Sequence, residues 1–295
     1  MKKLIRFLIS ISTPIVFLST LILATLSLFI LNPNYIIKSL NREGVYENIE
    51  KATQIAIKQY IREQIEEEGI DLNKLTTGER AAIESQIEII TEPIKKDNIK
   101  DFLETNVIRV LGYVNGGAQE LILYIPISKW QLPESFLSQL PDEILTENIN
   151  ILDILEQAQS TNISHQQILK IRGYGQNIKL YYFTTFLLGL TFLTLHYKLG
   201  EGANRFERST SLIVITGLLI LALTWLMKVA SDTVSQGITL KTGPGDIYIA
   251  TLVPALFKDI IIAWLVIGIS LIILSFFMVF GVTNYQKNTS KHKVN

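Results

Sequence analysis

The chain has 295 residues, of which 48% are hydrophobic and 18% are charged. Its 27 basic and 27 acidic residues balance, so the total charge indicates neither a nucleic-acid partner nor an acidic substrate. The sequence contains no cysteine, which excludes disulfides, thiol catalysis and cysteine-ligated metals.

Four apolar segments are long enough to cross a bilayer. The first, residues 7–31, contains no charged residue and at ~1.5 Å per helical residue exceeds a hydrocarbon core of about 30 Å. The other three are residues 180–197, 211–230 and 260–281. Backbone groups in lipid must pair within their own segment, so all four are predicted to be helices. The first is predicted to be an uncleaved signal anchor, because it is longer than the ~7–15 apolar residues of a cleaved signal.

The basic residues that flank the spans predict their orientation. They form three groups: Lys2, Lys3 and Arg6; Lys198, Arg205 and Arg208; and Lys287, Lys291 and Lys293. Four spans place all three groups on one side, which the positive-inside rule makes cytoplasmic. The cytoplasmic parts are then residues 1–6, 198–210 and 282–295, and residues 32–179 and 231–259 lie outside. We expect a multi-pass protein of a bacterial plasma membrane, with both termini in the cytoplasm.

Residues 32–179 are predicted to form a water-exposed, mainly helical domain. They carry 15 basic and 22 acidic residues, a net charge of −7. Apolar residues recur at helical spacing from Val45 to Tyr60, which predicts an amphipathic helix of roughly 25 residues. Thr76 and Glu79 match a capping box that opens a second helix towards Pro93.

The rest of the outer segment mixes further helices with short β-prone runs. A third helix is predicted from Ile99 to the terminator at Asn115-Gly116-Gly117. Residues 121–127 suit a buried strand or the start of a helix, and we favour a strand. In the second outer loop, residues 238–251 suggest a hairpin around Gly243-Pro244-Gly245 that could pair with this strand. Pro133 and Pro141 mark the bends of a predicted helical hairpin region. A helix is predicted over 151–157, and Ser164 with Gln167 is predicted to cap a helix that leads towards span two.

Three short patches carry a resemblance. They are Leu31-Asn32-Pro33-Asn34-Tyr35, Gly44-Val45-Tyr46 and Gly112-Tyr113-Val114-Asn115-Gly116. With the four-span layout, they resemble a group of uncharacterised bacterial four-span membrane proteins with an extracytoplasmic domain between spans one and two. The resemblance implies the architecture and no activity. The expected fold is therefore mainly α: a four-helix transmembrane bundle plus an extracytoplasmic helical domain with a small β element.

Few residues indicate chemistry. Glu63, Glu66 and Glu67 are candidates for binding a partner, although acidic residues at a helix end are more often simply solvated. His165, His196 and His292 share no helix face and are expected to be interfacial or solvated. Trp225 and Trp264 are expected to anchor the outer interface. No catalytic, cofactor or metal motif is present, so we predict no enzyme activity, cofactor or metal.

Three functions fit this pattern. The first is a non-enzymatic scaffold or sensor that presents the acidic domain to a protein or envelope partner. The second is a passive channel or lipid-handling protein, although a pore would require a polar stripe along a helix and only scattered Ser and Thr are present. The third is a membrane enzyme that uses carboxylates on the outer face, since catalytic residues need not form a local motif.

Overall fold

The structure is a computed structural model, described here for residues 1–42, 44–67, 70–72, 74–130, 134–137, 145–153, 165–200, 205–237 and 244–291. In chain order, its helices are α1 (Lys2–Thr25), α2 (Pro33–Leu40), α3 (Val45–Glu67), α4 (Thr77–Thr91), α5 (Lys96–Val114), α6 (Glu134–Leu137), α7 (His165–Lys198), α8 (Arg205–Gly237) and α9 (Pro244–Lys291). A π-helical turn, Leu26–Ile30, follows α1, and a 3-10 turn covers Ile127–Trp130.

The chain divides into two compact units. The first, which we call the membrane unit, comprises Met1–Ile30, Asn177–Ser231 and Phe257–Asn295. The second, which we call the connecting domain, comprises Leu31–Gln176 and Asp232–Leu256.

Four helices are long and apolar enough to cross a membrane, which confirms the predicted mainly α, four-span architecture. Their spans are Lys2–Ile30, His165–Lys198, Phe206–Val234 and Ala250–Phe280. Large apolar side chains such as Phe183, Phe276 and Phe277 are exposed along them, as expected for helices that face lipid rather than water. These features fit a multi-pass membrane protein.

Two glycines allow α8 and α9 to approach each other closely. A Cβ added at Gly217 would lie 3.0 Å from the carbonyl oxygen of Gly268, and a Cβ added at Gly268 would lie 3.2 Å from that of Gly217. Small residues at such a crossing let two backbones come into contact, which is a main source of helix association in lipid.

Trp264, which was predicted to anchor an interface, is packed between helices of the membrane unit. Its side chain is only 5% exposed, and its indole Nε1 donates a hydrogen bond of 2.8 Å to Thr25 Oγ1 at the end of α1. A tryptophan N–H that is withdrawn from water requires such an acceptor. Trp225, in contrast, is 63% exposed. Trp264 therefore links the first and last spans.

The core of the connecting domain joins two distant parts of the chain. Leu40, Val45, Tyr46 and Ile49 pack with Ile94 and Ile99, and also with Ala255 of α9. Tyr248 and Leu252, two turns and one turn before Ala255, pack on the same cluster. The hydroxyl of Tyr35 donates to the carbonyl of Leu256. The first part of α9 thus completes a core that begins at α2.

The second half of the predicted outer-loop hairpin is wrong. Residues 244–251 are helical and belong to α9, while residues 238–243 lie outside the described residues. The β-branched composition of this segment favoured a strand, but burial of one face of a helix against the core of the domain overrides such a local preference.

The predicted strand within residues 121–127 is present, but its partner differs from the one suggested. Strand β1 (Ile122–Tyr124) pairs antiparallel with β2 (Asn148–Asn150). Leu123 lies opposite Ile149 in this register. The partner therefore comes from the same connection between the first two spans and not from the segment 238–251.

Several helix boundaries follow the predictions. The capping box of Thr76 and Glu79 opens α4. At the end of α5, Gly117 N donates to Gly112 O at 2.8 Å and Gly116 N donates to Tyr113 O at 3.0 Å, which is the Schellman pattern. Gly116 has φ +81°, a conformation that glycine adopts without steric cost. The predicted elements around residues 133, 141, 154–157 and 164 lie outside the described residues.

Candidate functional site

The three predicted partner-binding carboxylates lie on the last turns of α3 and are exposed. Glu63 accepts a hydrogen bond of 2.8 Å from Gln59 Nε2, and Glu67 accepts one of 3.1 Å from Gln64 Nε2. Both donors belong to the same helix. Within the described part of the chain, these carboxylates therefore hold no other element in place.

Other carboxylates of the connecting domain join separate elements. Glu84 on α4 pairs with Arg62 on α3 at 2.7 Å, and Asp101 on α5 pairs with Lys129 at 2.7 Å. The hydrogen bond from Lys96 is the main cause that lowers the pKa of Glu47. These exposed pairs each contribute little to stability, because water and salt screen them, but their carboxylates already have partners within the protein.

Glu104 on α5 closes a polar cluster against α2 and α3. Its Oε1 accepts from Asn41 Nδ2 at 2.6 Å and from the hydroxyl of Tyr46 at 2.9 Å. Burial, followed by the hydrogen bond and the charge of Glu104, raises the pKa of Tyr46. Because Tyr46 belongs to the apolar core, this cluster satisfies a buried hydroxyl, and we assign it a structural role.

A second candidate site is a cavity of about 450 Å³ in the membrane unit. We call it the basic cavity, because Lys2, Lys3, Arg6 and Arg208 line it together with His196. The described residues that line it include no carboxylate. Residues from two of the three basic groups that were predicted to lie on one side of the membrane therefore line the same cavity.

Of the two surroundings predicted for His196, interfacial or solvated, the second is wrong, since its side chain is only 3% exposed. Its Nε2 lies 3.3 Å from Arg6 Nε, which donates to it. Its Nδ1 lies 3.0 Å from Ser209 Oγ. An imidazole nitrogen that accepts from a guanidinium carries no proton, so the other nitrogen, Nδ1, holds the proton and donates to the serine. The neutral ring thereby fixes the Arg6 side chain.

Sequence reasoning missed this contact because Arg6 and His196 are 190 positions apart. One signal could have indicated it. His196 ends an apolar span beside Lys198, and the positive-inside argument already places that end with Arg6. A histidine at such a position has cations for neighbours and needs a polar partner.

Two hydroxyl donors around the basic cavity have acceptors, whereas one buried donor has none among the described residues. Ser10 Oγ donates to the carbonyl of Arg6 at 2.8 Å, and Ser211 Oγ donates to the carbonyl of Arg208 at 2.7 Å. Arg6 Nη2, in contrast, is buried and has no hydrogen-bond partner among the described residues. A buried, unpaired N–H group of a guanidinium costs free energy unless a ligand or water accepts from it.

Metal binding finds no support in the described ranges, which contain no group of three or more histidine or carboxylate side chains placed to hold an ion. His165 begins α7, and His292 lies outside the described residues. His196 faces an arginine and a serine.

The two units define a class: a multi-pass membrane protein with a mainly helical domain formed by its connections between spans. Comparison with known proteins found no protein family, no curated protein and no solved structure that matches the chain.

Proposed function

We propose that the protein is a non-enzymatic, membrane-anchored scaffold or sensor whose connecting domain lies outside the cytoplasm and binds a protein or envelope partner. The observation that carries this proposal is the exposed group of Glu63, Glu66 and Glu67, which joins no other element among the residues that the structure describes. Exposed like charges attract a basic partner over distance and speed its association.

The proposed orientation, with both termini in the cytoplasm of a bacterial cell, rests on the basic cavity. Lys2 and Lys3 at the start of α1 and Arg208 near the start of α8 line the same space. This end of the membrane unit therefore concentrates positive charge, which membrane proteins retain on the cytoplasmic side.

The proposal that α1 remains as an uncleaved anchor is supported by its contacts within the membrane unit. Thr25 accepts the hydrogen bond from Trp264, and a Cβ at Gly189 of α7 would lie 3.2 Å from the ring of Phe17. Removal of α1 would leave a buried indole N–H unpaired and a glycine-lined face of α7 without its neighbour.

The decisive test reverses the charge of the acidic group. In Glu63→Lys/Glu66→Lys/Glu67→Lys, we expect recovery of the partner after crosslinking in native membranes to fall roughly ten-fold at low salt, because steering by charge contributes at least that factor. The loss should shrink at physiological salt, where exposed charges are screened over about 8 Å.

The matched control is Glu88→Lys/Glu120→Lys/Asp153→Lys, which changes the net charge equally at three separated exposed positions. It should retain most of the partner. An equal loss in both variants would indicate a general charge effect, and unchanged recovery in the first variant would contradict the acidic group as the binding surface.

A further inference from the structure

We propose that the basic cavity of the membrane unit binds the phosphate group of an anionic phospholipid. This site lies apart from the acidic group of the proposed function, and the inference does not depend on it. It rests on the charge of the cavity, on an unpaired buried donor and on the apolar residues beside them.

The charge of the cavity suits a phosphate. Lys2, Lys3, Arg6 and Arg208 supply four cations, and His196 remains neutral because its Nε2 accepts from Arg6. Among the described residues, none of the four cations forms an ion pair with a carboxylate. Such a set of like charges repels itself unless an anion enters.

The side chain of Arg6 is already held in position within the cavity. Its Nε is held by His196, and Ser209 in turn holds the far side of that ring. Its Nη2 is buried without a partner in the described part of the chain. A guanidinium with one donor fixed and another unpaired is prepared to bind a phosphate oxygen without further ordering of its side chain.

The two serine hydroxyls of the lining do not donate hydrogen bonds to a ligand in place of the cations. Ser10 and Ser211 already donate to backbone carbonyls one turn earlier on their own helices. The lining therefore recognises negative charge rather than a neutral polar group. Arginine and lysine side chains that meet without hydroxyl donors select a phosphate by charge and by the planar fork of the guanidinium.

Apolar residues favour a lipid over a free anion. Phe7, Leu199 and Leu212 line the same cavity as the four cations. Phe7 and Leu212 lie within the candidate spans of α1 and α8, close to the ends where these helices meet the headgroup region. A phosphate held by the cations would place its glycerol and acyl chains against these side chains, which inorganic phosphate would leave in contact with water. Basic pockets between spans at a membrane surface bind lipid headgroups in this way.

The test uses the full-length protein in a neutral detergent, titrated with short-chain phosphatidylglycerol, short-chain phosphatidylcholine or inorganic phosphate. The unfolding temperature is measured at each concentration, because a ligand that binds only the folded state raises it. We expect a rise with phosphatidylglycerol and a much smaller one with the other two. An equal rise with phosphate would overturn the lipid as the source, and an equal rise with phosphatidylcholine would overturn recognition of negative charge.

Substitutions test whether phosphatidylglycerol binds in the basic cavity. In Arg6→Gln/Arg208→Gln, we expect the apparent Kd for phosphatidylglycerol to rise about ten-fold or more, since each charge-assisted hydrogen bond contributes on that order. The control Lys228→Gln/Lys258→Gln removes the same charge from two exposed positions of the membrane unit and should bind as the wild type does. Equal weakening in both variants would overturn the site.

A milder variant covers the case in which loss of Arg6 impairs folding, because Arg6 also holds His196. Arg208 is exposed, so Arg208→Gln alone should fold and still weaken phosphatidylglycerol binding several-fold. Arg208→Lys keeps the charge and should recover most of the affinity. Wild-type affinity in Arg208→Gln would overturn the proposal.

Discussion

Asn106 on α5 shows how one side chain can replace part of a strand. Its Oδ1 accepts from Tyr124 N at 2.7 Å, and its Nδ2 donates to Tyr124 O at 2.7 Å. The amide therefore pairs with both backbone groups of the last residue of β1, on the helix side of a sheet that has only two strands. Asparagine has the donor and the acceptor that a backbone partner would supply.

Replacement of this amide should destabilise the connecting domain. In Asn106→Leu, which has a similar size, the N–H and C=O of Tyr124 lose their partner, and we expect the free energy of unfolding to fall by about 2–3 kcal/mol. Chemical denaturation of the full-length protein measures the change. Asn106→Asp keeps the acceptor but turns an oxygen towards the carbonyls of Phe102 and Tyr124, so it should lose less only at a pH at which the carboxyl is protonated. Equal stability of Asn106→Leu and the wild type would show that water satisfies Tyr124 instead.

Arg6 and His196 make a residue-scale contact of another kind. Each was visible in the sequence as one polar residue at the edge of an apolar segment, and neither has a motif around it. Their contact depends on how α1 and α7 align along their lengths, which no local pattern determines. The sequence therefore predicted that these basic residues lie on the same side of the membrane. It did not predict that they line one cavity.

At the scale of elements, the start of α4 was the most local prediction, and it is confirmed. The Glu79 carboxylate accepts from Thr76 Oγ1 at 2.7 Å and from Thr76 N at 2.9 Å. These two bonds, the side-chain bond first, hold the pKa of Glu79 below its ordinary value of 4.5. A carboxyl with a lowered pKa stabilises the fold above its unfolded value, and this contribution is lost as the pH falls through the lowered pKa.

The first turn of α4 should therefore loosen in acid. We expect the protection of its amides, which is the slowing of their exchange relative to that of an unstructured amide at the same pH, to fall below about pH 4.5 in the wild type. Glu79→Gln should exchange faster at pH 7 and show a weaker dependence on pH. The same change at exposed Glu88 on α4 should leave the pH dependence intact. An identical acid response in Glu79→Gln would rule out this carboxyl as the cause.

The crossing of α8 and α9 leads to a second prediction at this scale. An added Cβ at Gly217 would also lie 2.9 Å from a side-chain carbon of Ile272. Gly217→Ala should therefore push the helices apart and lower the unfolding temperature, with a cost on the order of 1–3 kcal/mol for overpacking.

The control for this crossing is Gly173→Ala in α7, where nothing lies within 4 Å of the added Cβ. That substitution should be neutral or stabilise by roughly 0.5–1 kcal/mol, since alanine is the better helix former. A stabilising effect of Gly217→Ala would contradict close packing of the two spans.

At the scale of the whole molecule, the proposed orientation can be tested with a reporter that is active only in the cytoplasm. Fused after Lys291 or inserted near Arg205, it should be active, because these positions flank the basic ends of the spans. Inserted near Asn73 or Gly243, it should be inactive. Activity at Asn73 would place the connecting domain on the cytoplasmic side and overturn both the orientation and the proposed extracytoplasmic partner.

The sequence by itself determined the four spans, the helices α3 to α5, the start of α4 and the end of α5. Each is specified locally: a run of apolar residues must bury its backbone hydrogen bonds in a helix, and capping groups act within one turn. The Gly116 stop and the Thr76 start could therefore be placed to the residue, because their partners lie at most five positions away.

Only the tertiary structure decided the partner of β1, the helical start of α9 and the surroundings of His196. In each case the deciding contact joins residues far apart in the chain, such as Ala255 with the core around Val45. The local composition of residues 244–251 favoured a strand, although Tyr248, Leu252 and Ala255 follow helical spacing. Burial of that face against a distant core stabilises the helix, and this burial exists only once the domain has folded.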